Sequence, residues 1–122
     1  MRDLLAVMKA LADENRLRIV AALDGRELCL CQIVELLGLA TSTVSRHASI
    51  LQQARLVESR KQGRWTYFRL DEEAPAAAAE ATTLAIGQLG RDRQVREDRK
   101  QLTRILKTDP EELCRKQSDC KC

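Results

Sequence analysis

The sequence predicts a mainly α fold of the α+β kind, in which helices surround one small β-hairpin. Three observations predict it. Of 122 residues only one is Trp, one Tyr and one Phe, so a core must be filled by Leu, Ile, Val and Ala, which suits helix packing better than a sheet. Apolar residues recur at helical spacing from Leu4 to Leu51 and again from Leu84 to Leu106. Between these stretches, after Leu56, the pattern changes to period two. Length and patterning give a domain over residues 1–106, with a core of modest size, and a cysteine-containing C-terminal tail over 107–122.

Leu4, Leu5, Met8, Leu11 and Ala12 give a first helix one apolar face, and Asp13-Glu14-Asn15 then offers a break and an N-cap. A second helix, Glu14 to Leu23, carries Leu17, Ile19, Val20 and Leu23 before Asp24-Gly25 turns the chain. The third runs from Cys29 to Leu37, and Gly38-Leu39-Ala40 is a connection of the helix-turn-helix type. Thr41 or Ser42 can cap the fourth by accepting a bond from an early backbone N–H, and the helix continues to about Ala54. Its Val44, Ala48 and Leu51 share one face at i, i+4 and i+7 and pack inward. Ser42, Arg46, Ser49 and Gln53 point the other way, flanked by Thr43 and Ser45. Small hydroxyls, an amide and a guanidinium suit the DNA major groove, where Arg forks to guanine and Gln to adenine.

Val57 to Lys61 and Arg64 to Leu70 read as strands joined at Gln62-Gly63, where glycine supplies the positive φ of a tight hairpin. A two-stranded β-hairpin wing tipped with Lys61 and Arg64, directly after a helix-turn-helix, makes a winged helix-turn-helix. From Ser59 to Arg69 the chain carries Arg60, Lys61, Arg64 and Arg69 and no acid, which marks a phosphate-binding surface; the plainer alternative is an ordinary solvated face. A long helical stretch follows from Asp71, with Pro75 in its first turn and a break expected near Gly90. The mixed charges of Arg91 to Arg104 read as a solvated helix face. Asp109 or Thr108 caps a last short helix that begins with Pro110 and contains Leu113 and Cys114, and Arg115 to Cys122 reads as a mobile polar tail.

The net charge of +3 is too mild to announce nucleic acid by itself. No signal-like start or long apolar run is visible, so the chain is expected to be soluble and cytoplasmic. Five cysteines cannot all pair internally, and a reducing compartment points to free thiols or metal ligands. Cys29 and Cys31 stand one residue apart at a helix start, with Cys114, Cys120 and Cys122 in the last nine residues. A helical cysteine is ordinarily a small buried hydrophobe. This clustering instead suggests thiolate ligands, which select soft ions. Within a regular helix, positions i and i+2 point about 200° apart, so sharing one ion would distort the first turn. A helix N-terminus should lower the thiol pKa there.

In order and spacing these residues resemble the ArsR/SmtB family of metalloregulatory repressors. The segments concerned are Ala10-Leu11-Ala12-Asp13-Glu14-Asn15-Arg16-Leu17-Arg18-Ile19, Glu27-Leu28-Cys29-Leu30-Cys31, Ser42-Thr43-Val44-Ser45-Arg46-His47 and Gly63-Arg64-Trp65-Thr66-Tyr67-Phe68-Arg69-Leu70, within residues 4–70. The resemblance implies an obligate homodimer that binds an imperfect inverted repeat in operator double-stranded DNA and lets go when a toxic ion binds. Its terminal dimerisation helices would use the Leu4, Leu5, Met8 face and the Leu84 to Leu106 face. Pairing would supply core that a small domain lacks and space two recognition helices by about one DNA turn. His47 would face DNA, although on geometry alone a partly buried structural histidine serves nearly as well.

Members responding to trivalent arsenic or antimony use three thiolates, the third a few residues after the pair. Here Val34 stands at that position, so either the third ligand comes from Cys114, Cys120 or Cys122 or the site is only two-coordinate. Arsenite or antimonite is thus the expected inducer. A cadmium or lead sensor with a four-thiolate site is the alternative, as is a redox switch joining Cys29 or Cys31 to the tail. Zinc sensing through the C-terminal helix does not fit a chain whose one histidine is His47. An enzyme, such as a cysteine-based arsenate reductase, is not expected, because neither a phosphate-cradling Gly-rich loop nor a His-paired nucleophile is visible.

Overall fold

In the computed structural model, which describes residues 1–117, α1 (Arg2–Leu11) and α2 (Glu14–Ala22) open the chain. Asp13 separates them: its backbone is extended and its carboxylate accepts from the Arg16 N–H at 3.1 Å. Burial works to raise the Asp13 pKa, but the Arg16 N–H and the charges of Arg16 and His47 outweigh it, and the net shift is downward. A folded pKa below the unfolded one gives stability that is complete above the ordinary aspartate range and is lost as pH falls through the folded value. Asp13→Ala is therefore expected to cost about 1 kcal/mol at neutral pH and much less in acid. Urea melts at about pH 7 and about pH 3 check this.

β1 (Leu28–Cys29), α3 (Leu30–Leu37), α4 (Thr41–Gln53), β2 (Val57–Gln62) and β3 (Trp65–Leu70) form the centre of the molecule. The hairpin has the expected antiparallel form, but Gln62 pairs with Trp65, so the turn is Gly63-Arg64, one residue later than anticipated. Gly63, at φ +61°, takes the first loop position, where the tight turn demands a positive φ. A third strand was not expected: β1 adds to β3 with Leu28 opposite Phe68 and Cys29 opposite Tyr67, giving the order β1-β3-β2. Cys29 is consequently not helical. It is the N-cap of α3, at the junction of sheet and helix.

α4 closes on a Schellman pair of bonds, Leu56 N–H to Leu51 O and Arg55 N–H to Gln52 O, which turns the chain directly into the wing. Ala40 rather than Thr41 or Ser42 occupies its cap position, with no side-chain bond. Thr41 is drawn into the first turn and buried.

The C-terminal stretch breaks near Gly90 into α5 (Ala76–Leu89) and α6 (Arg93–Ile105), with Asp92 accepting from the Val95 N–H to start the second. α5 packs on α1 and α2, whereas α6 turns back onto α2 and α3. Val95, Leu102 and Ile105 are thus buried within the subunit, and the expected Leu84 to Leu106 face does not form one continuous surface. Nor is α6 merely a solvated charged helix. Its Asp98 is buried and holds Arg18 through two bonds of 2.9 and 3.0 Å, with Gln94 donating to the same carboxylate. The Arg18 guanidinium also reaches the Leu36 carbonyl at the end of α3, tying three helices together.

α7 (Pro110–Lys116) begins at an Asp109 cap and packs on α3 with Leu113 buried. Arg115 and Lys116, expected to belong to a mobile tail, form the exposed last turn of α7, and the Gln117 Nε2 that follows donates to the Cys31 carbonyl at 3.0 Å. The expectation for residues 118–122, including Cys120 and Cys122, lies outside the described residues. Apolar side chains left outside the core gather on α1, at Leu4, Leu5 and Met8, and at Leu84 and Leu106. No helix among the described residues is long and apolar enough to cross a membrane.

Candidate functional site

Two surfaces carry chemistry: the outer face of α4 with the wing, and the sulfur-bearing junction of β1, α3 and α7. Along α4, Val44, Ala48 and Leu51 are buried, and this anchoring turns Ser42, Thr43, Ser45, Arg46, Ser49 and Gln53 outward into solvent. The surface therefore presents the hydroxyl, amide and guanidinium set inferred from the helical wheel. His47 is half-buried at the edge of this face, and its Nδ1 accepts from Arg16 Nη1 at 3.1 Å. The same guanidinium donates to the Ala10 carbonyl at 2.6 Å, so His47 braces α4 against the end of α1.

The wing is less cationic than its sequence. Arg60 is clamped by Glu27 through two bonds of 2.9 and 2.5 Å and lies over the Tyr67 ring. That bond holds the Glu27 carboxyl below the usual range, against its partial burial. Arg69 pairs with Glu58 directly across the strands. Arg64, at the turn, stacks over Trp65 and reaches Glu111 of α7 at 3.0 Å. Among the described residues Lys61 has no ion-pair partner, which leaves it the wing's freest cation. Glu27, Glu58 and Glu111 lie outside the acid-free run, so local composition could not reveal them.

Cys29 is fully buried, and because it is the cap and not a helical residue, the 200° separation of regular helix positions does not apply to the pair. A capping box encloses it: the Gln32 Oε1 accepts from the Cys29 N–H at 2.9 Å, while the Gln32 N–H faces the sulfur. Burial raises the thiol pKa, against the backbone N–H groups of Gln32, Cys31 and Cys29 that pull it down. The lowering expected at a helix N-terminus is thus reversed, because desolvation penalises the thiolate more than the N–H groups favour it.

Cys31, also fully buried, lies in the first turn of α3, and Cys114 is half-buried on α7, the helix packed against it. Both stand in disulfide linkage, while Cys29 is a free thiol. Among the described residues no three Cys, His, Asp or Glu side chains form a ready-made metal cluster. The buried Gln117 Oε1, beside the Cys31 carbonyl, has no hydrogen-bond partner among the described residues. With Cys31 and Cys114 reduced to thiols, the donor chemistry fits a soft thiophilic ion, provided the Cys29 sulfur leaves its cap.

The bacterial ArsR-family regulatory-protein model matches residues 13–59. An arsenical resistance operon repressor of Escherichia coli is 42% identical over 74 residues, spanning 60% of this chain and 63% of that one. The CadC homolog of Staphylococcus aureus, a cadmium resistance regulatory protein, is 37% identical over 73 residues, 58% of this chain and 60% of that one. The chain thus spans about three fifths of these relatives' length. Among solved structures, the homodimeric winged helix-turn-helix DNA-binding domain of Mb0332 from Mycobacterium bovis superposes with a TM-score of 0.62 at 28% identity, covering 71% of this chain and 79% of that one. HlyU from Vibrio vulnificus gives 0.55 at 31% identity, over 66% and 81%. The order of elements and the wing agree with these likenesses, and the chain belongs to the ArsR family of bacterial regulatory proteins.

Proposed function

We propose that the chain is a homodimeric transcriptional repressor that leaves operator DNA when trivalent arsenic or antimony, supplied as arsenite or antimonite, is held by Cys29, Cys31 and a C-terminal cysteine. The observation that carries this reading is the docking of α7 on α3, with Gln117 bonded at Cys31, which brings a cysteine-bearing C-terminal helix to the buried pair. Cys114 is the described candidate for the third ligand, and Cys120 and Cys122 complete the set from which a four-thiolate site for cadmium or lead would draw. The arsenical resistance relatives support the first ion class, and the cadmium relative keeps the second in view.

Each bond from sulfur to a trivalent hydroxide releases water made from the hydroxide and the thiol proton. A raised thiol pKa therefore costs little in the overall balance. Ligation draws the Cys29 sulfur out of its capping box and loosens the pairing of β1 with β3, while α3 leans on α4. Reversing operator occupancy from 99:1 to 1:99 requires about 5.5 kcal/mol of preference for the released geometry. Dimerisation buries the exposed Leu4, Leu5 and Met8 of α1 together with Leu84 of α5, since α1 and α5 pack side by side.

The test is release of a fluorescent operator duplex, obtained by selection from random DNA, from anaerobic, fully reduced protein upon addition of arsenite. Release supports the thiolate sensor. Release only upon oxidation supports a redox switch, the second reading, which the disulfide-bonded state of Cys31, and separately of Cys114, favours.

Arg46→Ala is expected to cost about 1–3 kcal/mol on operator DNA and much less on random duplex, because a base contact is lost. Lys61→Ala should weaken both alike and reduce the salt slope by about 0.9 per subunit. Titrations of both duplexes at several salt concentrations separate the two roles. Equal losses on the two DNAs for Arg46→Ala would argue against a base contact.

A further inference from the structure

We infer that Glu111 is a positioning residue of the switch: by holding Arg64 at the wing tip, docked α7 takes a phosphate contact away from DNA. Arg64 stands at the turn of the hairpin, where a guanidinium can reach the DNA backbone. In the structure it is turned to Glu111 at 3.0 Å and laid over Trp65. Glu111 sits in the first turn of α7, three residues before Cys114 on the same short helix, and buried Leu113 seats that helix on α3. One element thus bears both a candidate inducer ligand and the carboxylate that occupies the wing. A phosphate and a carboxylate compete for the same fork of donors, so binding DNA at Arg64 and docking Glu111 oppose each other. Whatever fastens Cys114 to the α3 side favours the docked helix and with it the occupied arginine. By reciprocity, DNA bound at the wing weakens that fastening.

The ion pair is half exposed on both sides, at 61% and 53%, so its effect is a bias and not the whole of release. The link to inducer rests on the thiol-site reading above; the competition at Arg64 does not.

Glu111→Gln in the full-length chain should tighten binding to a mixed-sequence 30-base-pair duplex by about threefold to fivefold per subunit. It should also steepen the dependence of log affinity on log salt by about 0.9 per subunit, with no inducer present. Glu112→Gln, an equal change of charge on an exposed neighbour, serves as the control and should move affinity less than twofold. In an Arg64→Ala background Glu111→Gln should have no further effect. Equal effects of the two glutamine variants, or an undiminished effect without Arg64, would overturn the inference while leaving the thiol-site reading intact. Tightening by Glu111→Gln alone in a protein that arsenite never releases would uphold the competition and sink that reading.

Discussion

Asp98→Ala is expected to remove about 3–5 kcal/mol of folding stability and lower the melting temperature by roughly 10–20 °C. The carboxylate is 3% exposed and its loss strands the Arg18 guanidinium in a site shaped to satisfy it. The cost lies in the orphaned partner as much as in the lost bonds. For that reason a paired replacement, Arg18→Met with Asp98→Leu, should be milder than either single change. Thermal and urea melts of the singles and the double give the coupling directly. Because α6 is fastened to α2 and α3 through this pair, the single variants should also lose amide protection along α6 before the rest of the fold opens. Uniform loss of protection would show that α6 is not a separate unit.

Cys29→Ser is expected to abolish or strongly blunt release by arsenite while leaving the fold and operator affinity close to those of the parent. Serine is among the best N-cap residues, so the geometry at the start of α3 should survive and even improve. What disappears is the thiolate. If three thiolates share the 5.5 kcal/mol that release demands, losing one raises the arsenite needed by about 20-fold. Operator titration at increasing arsenite measures the shift, and an unchanged midpoint would remove Cys29 from the ligand set. Cys31→Ser should shift the midpoint similarly but with some loss of stability, because its side chain is fully buried inside the first turn rather than at a cap.

Much of this was legible in the sequence, because the helices announce themselves by spacing. Val44, Ala48 and Leu51 turn inward, and their outward companions Ser42, Arg46, Ser49 and Gln53 follow from the same period. The cysteine pair was equally plain. What escaped was whatever depends on partners far along the chain. β1 is two residues long, too short to show alternation, and exists because β3 offers an edge about forty residues later. Asp98 reads as one charge among many until Arg18, eighty residues earlier, is folded against it. The acid-free run of the wing looked free to bind phosphate, yet Glu27, Glu58 and Glu111 answer three of its four arginine and lysine charges. The pKa of Cys29 followed the same pattern: its place at a helix start was readable, its desolvation was not.

The capping box around Cys29 gives the proposed sensor a resting state that must be displaced rather than merely an empty seat to be filled. An ion seeking that sulfur competes with the Gln32 N–H, so the strength of an ordinary helix cap enters the concentration at which the protein responds. Detection threshold and helix stability then become one adjustable quantity. Gln32→Ala keeps that N–H but removes the other side of the box, the Oε1 that accepts from the Cys29 N–H, so it should weaken the start of α3 and, by loosening the cap that seats the sulfur, let the protein respond at lower arsenite.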